Sequence, residues 1–251
     1  MMQIQQGMVG VFDVLGYRAL IYGNETRAVA EIITKIFKCL PEVTTSGILT
    51  PLDSPETVQW VGERIGRIDV RLFSDNILLT LPLNTMEVDA SVDIPHFLAY
   101  AAKLMRVAFD NGLPLRGAIS HGEYFLAEQC FAGKTILDCH EGAEDLQLAG
   151  CVVMPDTANY FEKVARNTDT DLRFHQFIFP FVVPVRTGQS IELPVLDWYL
   201  PMEDWGAHQE DIHAYIINAF QAHSKVITPK ELSKIDNTEL MMRKSIQRKQ
   251  Q

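Results

Sequence analysis

A carboxylate inside an apolar run near the beginning of the chain constrains the fold most. The run is GVFDVLGYRAL, residues 10–20, and its pattern predicts a strand that breaks at a glycine and turns into a helix. Asp13 lies near the end of that strand. Because burying an unpaired carboxylate costs several kcal/mol, either a cation neutralises Asp13 or the residue caps the following helix.

The later patterns predict an α+β protein. Apolar residues recur at helical spacing over 17–40, whereas glycines and prolines in 41–67 indicate a loop or a weakly structured insert. The segment IDVRLFSDNILLTLPL (68–83) predicts a hairpin with residues 74–76 at its tip. Helices and strands then alternate, without an internal repeat or a Ser/Gly-rich linker. We therefore expect a single domain over 1–251.

Composition restricts the partners that such a protein can have. The net charge is −10 and the pI is about 5.1, so a broad surface for nucleic acid is not expected. No segment approaches 18 uninterrupted apolar residues, and the N-terminal segment lacks signal-peptide features, so we expect a cytoplasmic protein without a membrane span. No CxxC spacing indicates a zinc ribbon. The polar tail at 243–251 is expected to fray.

Two carboxylates stand out because each interrupts an apolar, strand-like context. Asp13 ends the first strand, and Asp75 lies at the hairpin tip. In a βαββ arrangement the first strand often lies between the other strands, so its end and the hairpin tip can meet. Two carboxylates there would hold one or two divalent ions, which can clamp the oxygens of a phosphoryl transfer. A helix cap and ordinary turn chemistry are the structural alternatives.

The chain resembles the catalytic domains of class III nucleotidyl cyclases in four segments that occur in the same order: FDVLGYRAL, VRLFSDNILLTLP, LRGAISHGEYF and AGKTILDCHEGAEDL. It is most similar to the stand-alone pyrimidine cyclases of bacterial Pycsar anti-phage systems, which share a C-terminal feature, here ELPVLDWYLP. The match covers roughly residues 8–165. The resemblance implies a ferredoxin-like βαββαβ core with a helix-covered sheet, followed by an extra strand pair and a helical tail over about 170–251.

The resemblance also implies a metal and phosphate site. Two divalent ions, Mn²⁺ or Mg²⁺, would be bound by two carboxylates and a backbone carbonyl: Asp13, Asp75 and Val14. Backbone amides at the beginning of the first helix would bind the β- and γ-phosphates: Leu15, Gly16 and Tyr17. Arg116, which opens a predicted strand, is expected to pair with a neighbouring acid rather than to contact a phosphate.

Departures from the family pattern bear on the base. Arg71, four residues before Asp75, falls where purine cyclases keep a base-reading lysine, and Cys130 replaces their base-reading aspartate. The loss of that carboxylate at Cys130 argues against ATP and favours a pyrimidine. Class III cyclases work as homodimers with active sites at the interface, so Arg71 is expected to reach across from the partner chain.

A second departure concerns the transition state. After Gly133 the family carries an asparagine and, four residues on, an arginine, but this chain has Leu137 and Glu141 there. Either another cation has taken over the role, with Arg18 and Lys134 as candidates, or this copy is inactive.

The expected function is therefore a nucleotide cyclase that makes cyclic UMP from UTP, or cyclic CMP from CTP. By resemblance, the product would activate a separate effector protein during phage infection. A purine cyclase and a catalytically inactive nucleotide-binding or dimerisation module are the alternatives.

Overall fold

The structure of the protein is a computed structural model. It describes residues 4–44, 59, 62–64, 66–83, 87–128, 130–168, 174–199 and 211–249. Most of the insert expected at 41–67 lies outside these residues. Among the described helices, none is long and apolar enough to cross a membrane.

Within the described ranges, eight strands form one sheet, as expected for an α+β protein. They are β1 (Ile4–Val14), β2 (Asp69–Phe73), β3 (Asn76–Pro82), β4 (Leu115–Leu126), β5 (Phe131–Ala132), β6 (Cys151–Val153), β7 (Ile178–Pro184) and β8 (Ser190–Leu196). The order across the sheet is β2-β3-β1-β4-β6-β8-β7, and β5 pairs with β4. β1 is therefore central, antiparallel to both β3 and β4.

The described helices pack on this sheet, and two of them form the C-terminal part of the chain. They are α1 (Tyr17–Gly23), α2 (Thr26–Thr44), α3 (Glu87–Asp110), α4 (Lys134–Asp145), α5 (Pro155–Thr168), α6 (Phe174–Phe177), α7 (Ile212–Gln221) and α8 (Pro229–Lys249). The apolar core is drawn from both layers, with Phe12 on β1 and Phe97 on α3 fully buried. This burial is what holds the strand end at a fixed place.

Two local predictions were wrong. The single helix expected over 17–40 is broken at Asn24, which is extended because its side-chain amide donates to the carbonyls of Leu20 (2.9 Å) and His223 (2.8 Å). The tail expected to fray is helical up to Lys249, because Arg248 donates to the Ile178 carbonyl at 2.7 Å. Both outcomes depend on contacts with residues distant in sequence.

Candidate active site

The end of β1 and the tip of the β2–β3 hairpin meet, as the sequence predicted. Asp13 lies opposite Asn76 in the register of β1 and β3. The Val14 amide donates to the Asp75 carbonyl at 3.0 Å, and the Asn76 side-chain amide donates to Oδ1 of Asp75 at 3.1 Å. The two carboxylates are consequently neighbours at one edge of the sheet.

A cation does neutralise Asp13, and it is Arg116 at the beginning of β4. Nε of Arg116 donates to Oδ2 of Asp13 at 2.6 Å, and each side chain is only 13% exposed. A second nitrogen, Nη1, donates to the Glu144 carbonyl at 2.6 Å. The prediction that Arg116 pairs with a neighbouring acid is confirmed. The sequence did not indicate that this acid is Asp13.

The charges around Asp13 oppose one another. Burial raises the pKa of the Asp13 carboxyl above its ordinary value, and Arg116 lowers it. The negative charges of Asp75 and Glu144 raise it further. The net effect is an increase, because partial removal from water disfavours the ionised form more than one guanidinium compensates. A further cation at this edge would be stabilised by the same carboxylates.

Asp13 does not cap helix α1. The N-cap position belongs to Gly16, whose φ of 76° lies in the left-handed region that glycine tolerates best. The first intrahelical hydrogen bond is donated by the Leu20 amide to the Gly16 carbonyl, so the amides of residues 17–19 have no acceptor within the helix. The Leu15 amide donates to the Pro114 carbonyl at 2.9 Å and is engaged within the fold.

Arg71 and Cys130 lie close together. The Arg71 guanidinium pairs with Asp69 at 3.2 Å and donates to the backbone carbonyls of Ala127 and Glu128. The Ala127 amide in turn donates to the carbonyl of Cys130, which is exposed, at 2.8 Å. The two residues that the sequence assigned to the base therefore share one surface, at the turn between β4 and β5.

Within one chain Lys134 lies far from the carboxylates along β1, and Arg18 contacts a tyrosine of its own helix. Lys134 lines a cavity of about 460 Å³ together with Ile4, the first residue of β1. Ile4 lies nine residues before Asp13, which corresponds to roughly 30 Å along a regular strand. Arg18 is exposed, and its guanidinium lies over the ring of Tyr22, 5.6 Å from the centroid. Their assignment as transition-state cations stays a prediction.

Residues from the C-terminal part also reach this edge, and sequence reasoning missed them. Lys225 is buried, and a β-carbon at Gly16 would lie 3.2 Å from its Cδ. Its ammonium donates to the carbonyls of Gly112 (2.6 Å) and Ala219 (3.3 Å). No spacing in the sequence links Lys225 to Gly16, because the contact is created by the folding of distant segments.

Comparison with solved structures identifies the architecture. The monomeric guanylyl cyclase domain of the RhoGC fusion protein from the aquatic fungus Blastocladiella emersonii is 9% identical, with a TM-score of 0.50 over 78% of this chain and 97% of that chain. A dimeric form of that domain gives 9% identity and 0.50 over 78% and 98%. This chain has the class III nucleotidyl cyclase fold.

A third structure and two sequence comparisons complete the findings. The guanylate cyclase domain of RhGC from Catenaria anguillulae, solved in complex with GTP, is 10% identical over 77% of this chain and 97% of that chain, with a TM-score of 0.49. No protein-family model matches the chain, and no curated protein matches it at a significant level. The expected fold is confirmed, and the pyrimidine subtype stays a prediction.

Proposed function

We propose that this protein is a metal-dependent nucleotidyl cyclase that converts UTP, or secondarily CTP, to the cyclic 3′,5′-monophosphate and pyrophosphate. The observation that carries the proposal is the pair of neighbouring carboxylates, Asp13 and Asp75, at one edge of a sheet with the cyclase fold. Arg116 already pairs with Asp13, yet burial and the charge of Asp75 still raise the pKa of the Asp13 carboxyl, so a further cation at this edge would stabilise the ionised pair.

The donor set fits hard divalent ions such as Mg²⁺ or Mn²⁺. Two carboxylates and the Val14 carbonyl offer oxygen ligands, which such ions prefer. The described residues contain no group of three or more acidic, histidine or cysteine side chains that could hold a metal, so the substrate phosphates would supply further oxygens. When bound, the ions would neutralise phosphate charge and lower the pKa of the ribose 3′-hydroxyl.

The chain's own residues would orient the triphosphate. The amides of residues 17–19, which have no acceptor within α1, would donate to phosphate oxygens, as helix N-termini do in phosphate sites. Arg116 would exchange Asp13 for a phosphate oxygen, to which its planar guanidinium can donate two hydrogen bonds. The 3′-oxygen then attacks the α-phosphorus in line, its proton passes to solvent, and the bond to the pyrophosphate oxygen breaks. Positioning and charge complementarity supply most of the rate.

The base would be read on the surface shared by Arg71 and Cys130. Arg71 is held by Asp69 and by carbonyls of the turn, so its donors have a fixed direction. Cys130 offers no carboxylate to a purine edge, which supports a pyrimidine. We propose a homodimer in which this surface of one chain faces Asp13 and Asp75 of the other. Lys134 or Arg18 would then supply the transition-state cation.

The role proposed for the product follows from the resemblance to Pycsar cyclases. Cyclic UMP would act as a second messenger that activates a separate effector protein in anti-phage defence. One observation favours a different function: the ion pair between Arg116 and Asp13 satisfies both charges without any ligand. A nucleotide-binding or dimerisation module without catalysis would need no more than this.

The test is incubation of the full chain with Mn²⁺ and each of the four nucleoside triphosphates, with products identified by mass spectrometry. Asp75→Ala removes one carboxylate, and Asp236→Ala is the matched control because Asp236 is an exposed carboxylate on α8. We expect a cyclic pyrimidine monophosphate from the wild type and Asp236→Ala but not from Asp75→Ala. A cyclic purine product would contradict the base assignment, and no product from any triphosphate would favour the inactive module.

A further inference from the structure

The turn that follows α7 has an unusual backbone. His223 and Ser224 are consecutive residues with φ of 58° and 61°, in the left-handed region that residues other than glycine rarely occupy. Such a conformation persists only where the surrounding structure imposes it, and it clusters at functional sites. Residues 222–225, which we call the C-terminal turn, are therefore held by specific contacts.

The C-terminal turn joins two segments beside the carboxylate edge. The His223 carbonyl accepts from the side-chain amide of Asn24, just after α1, at 2.8 Å, and the His223 ring donates from Nε2 to the Asn111 carbonyl at 2.7 Å. A β-carbon at Gly112 would lie 2.2 Å from that of Ala222, so the turn packs closely on the connection between α3 and β4. The turn consequently links the end of α1 to this connection.

Lys225 extends these contacts to the residue that precedes α1. Its side chain is buried, and its ammonium donates to the carbonyls of Gly112 at 2.6 Å and Ala219 at 3.3 Å. A β-carbon at Gly16 would lie only 3.2 Å from Cδ of Lys225, so the lysine stem lies against Gly16. Because two hydrogen bonds hold the ammonium, the stem has a fixed place.

Gly16 closes the strand-end loop, residues 14–16, which carries the Val14 carbonyl proposed as a metal ligand. The Val14 amide donates to a carbonyl of the hairpin tip at 3.0 Å, and the Leu15 amide donates to a carbonyl of the α3–β4 connection at 2.9 Å. Gly16 has a φ of 76° and no side chain, and glycine restrains the backbone least. The stem of Lys225 supplies the restraint at this end of the loop.

We propose that Lys225 is a positioning residue that holds the strand-end loop in the conformation that binds the metal–triphosphate complex. This inference rests on the proposed function for the location of that complex. Lys225 acts through Gly16 and not by contact with the nucleotide, since two carbonyls already bind its ammonium. The C-terminal part, outside the expected core at 8–165, would thereby control affinity by preorganising the site.

The test measures binding of inorganic tripolyphosphate to the full chain in Mn²⁺ by titration calorimetry. Lys225→Ala removes the stem that lies against Gly16, and Lys230→Ala is the matched control because Lys230 is exposed. If Lys225→Ala leaves the loop in the binding conformation about a tenth of the time, the affinity falls about tenfold. We expect a loss of this size, and wild-type affinity for Lys230→Ala.

Hydrogen exchange without ligand separates positioning of the loop from a general loss of stability. The amides of Leu15 and Leu20 are hydrogen-bonded on either side of Gly16, so their exchange reports opening of the loop. We expect Lys225→Ala to accelerate exchange at these two amides more than at Val9, in the central strand. Equal acceleration at all three amides would contradict a local role.

Two further variants keep the inference testable if Lys225→Ala folds poorly. Asn24→Ala removes the donor that attaches α1 to the C-terminal turn, so it should also weaken tripolyphosphate binding. Ile94→Val removes a buried methyl group in the N-terminal half of α3, so it should lower stability and leave binding unchanged. Wild-type affinity in both Lys225→Ala and Asn24→Ala, or an equal loss in Ile94→Val, overturns the inference.

The outcome can be told apart from that of the proposed function. If no nucleotide is cyclised but tripolyphosphate binding depends on Lys225, the cyclase proposal fails and the positioning role stands. If a nucleotide is cyclised and Lys225→Ala changes neither its KM nor the exchange of the loop, the cyclase stands and the role of Lys225 is refuted. A wild-type chain that binds no tripolyphosphate also overturns the inference.

Discussion

Ser74, in the turn that carries Asp75, stores backbone strain that a single substitution can release. Its φ is 56°, in the left-handed region, and its side chain is exposed. This conformation costs an L-residue about 1–2 kcal/mol. Glycine avoids that cost but loses about 0.5–1 kcal/mol more backbone entropy on folding. Ser74→Gly is therefore expected to raise the free energy of unfolding by about 0.75 kcal/mol, the difference between the midpoints of these two ranges.

Urea denaturation followed by far-UV circular dichroism measures this difference, and Ser74→Ala is the matched control. Alanine keeps the strained φ and removes only a hydroxyl at an exposed position, so it should not gain stability. The corresponding increase in Tm for Ser74→Gly is about 1–4 °C for a chain of this size. If Ser74→Gly is no more stable than Ser74→Ala, the left-handed conformation at this turn costs nothing, and the reasoning is refuted.

Two further predictions concern the surroundings of the site. Gly117→Ala should lower the free energy of unfolding by about 1–3 kcal/mol, because the new methyl group would lie 2.4 Å from the buried ring of Phe12. Gly62→Ala is the control, since its methyl group meets nothing within 4 Å and should have no packing cost. Equal thermal unfolding of the two variants would contradict this prediction. Burial lowers the pKa of the Lys225 ammonium from 10.5 to about 8. Between these two pH values the unfolded chain binds more protons than the folded chain. The free energy of unfolding therefore rises with pH there, by at most about 1.4 kcal/mol per pH unit. Urea unfolding at pH 7.5 and 10 should show this rise in the wild type but not in Lys225→Met, and parallel changes in both would contradict it.

The local elements of the site could be predicted because their signals are short-range. The hairpin follows from two apolar β-rich segments around residues 74–76, and the strand ending near Asp13 follows from an apolar run broken by Gly16. Their meeting follows from the place of the first strand between its neighbours. The break at Asn24 could not be predicted, because the side chain that stabilises it contacts a carbonyl in the C-terminal part of the chain.

The sequence by itself determined the α+β class, the hairpin, and which two carboxylates meet at the sheet edge, since these depend on periodicity and on neighbouring turn residues. Only the tertiary structure decided what surrounds the carboxylates. Arg116 pairs with Asp13 through the register of β1 and β4, and α8 is fixed on residues 147–149 by hydrogen bonds of Asn237 and Thr238. Sequence spacing carries no record of such pairings, because packing between distant segments brings these charges together.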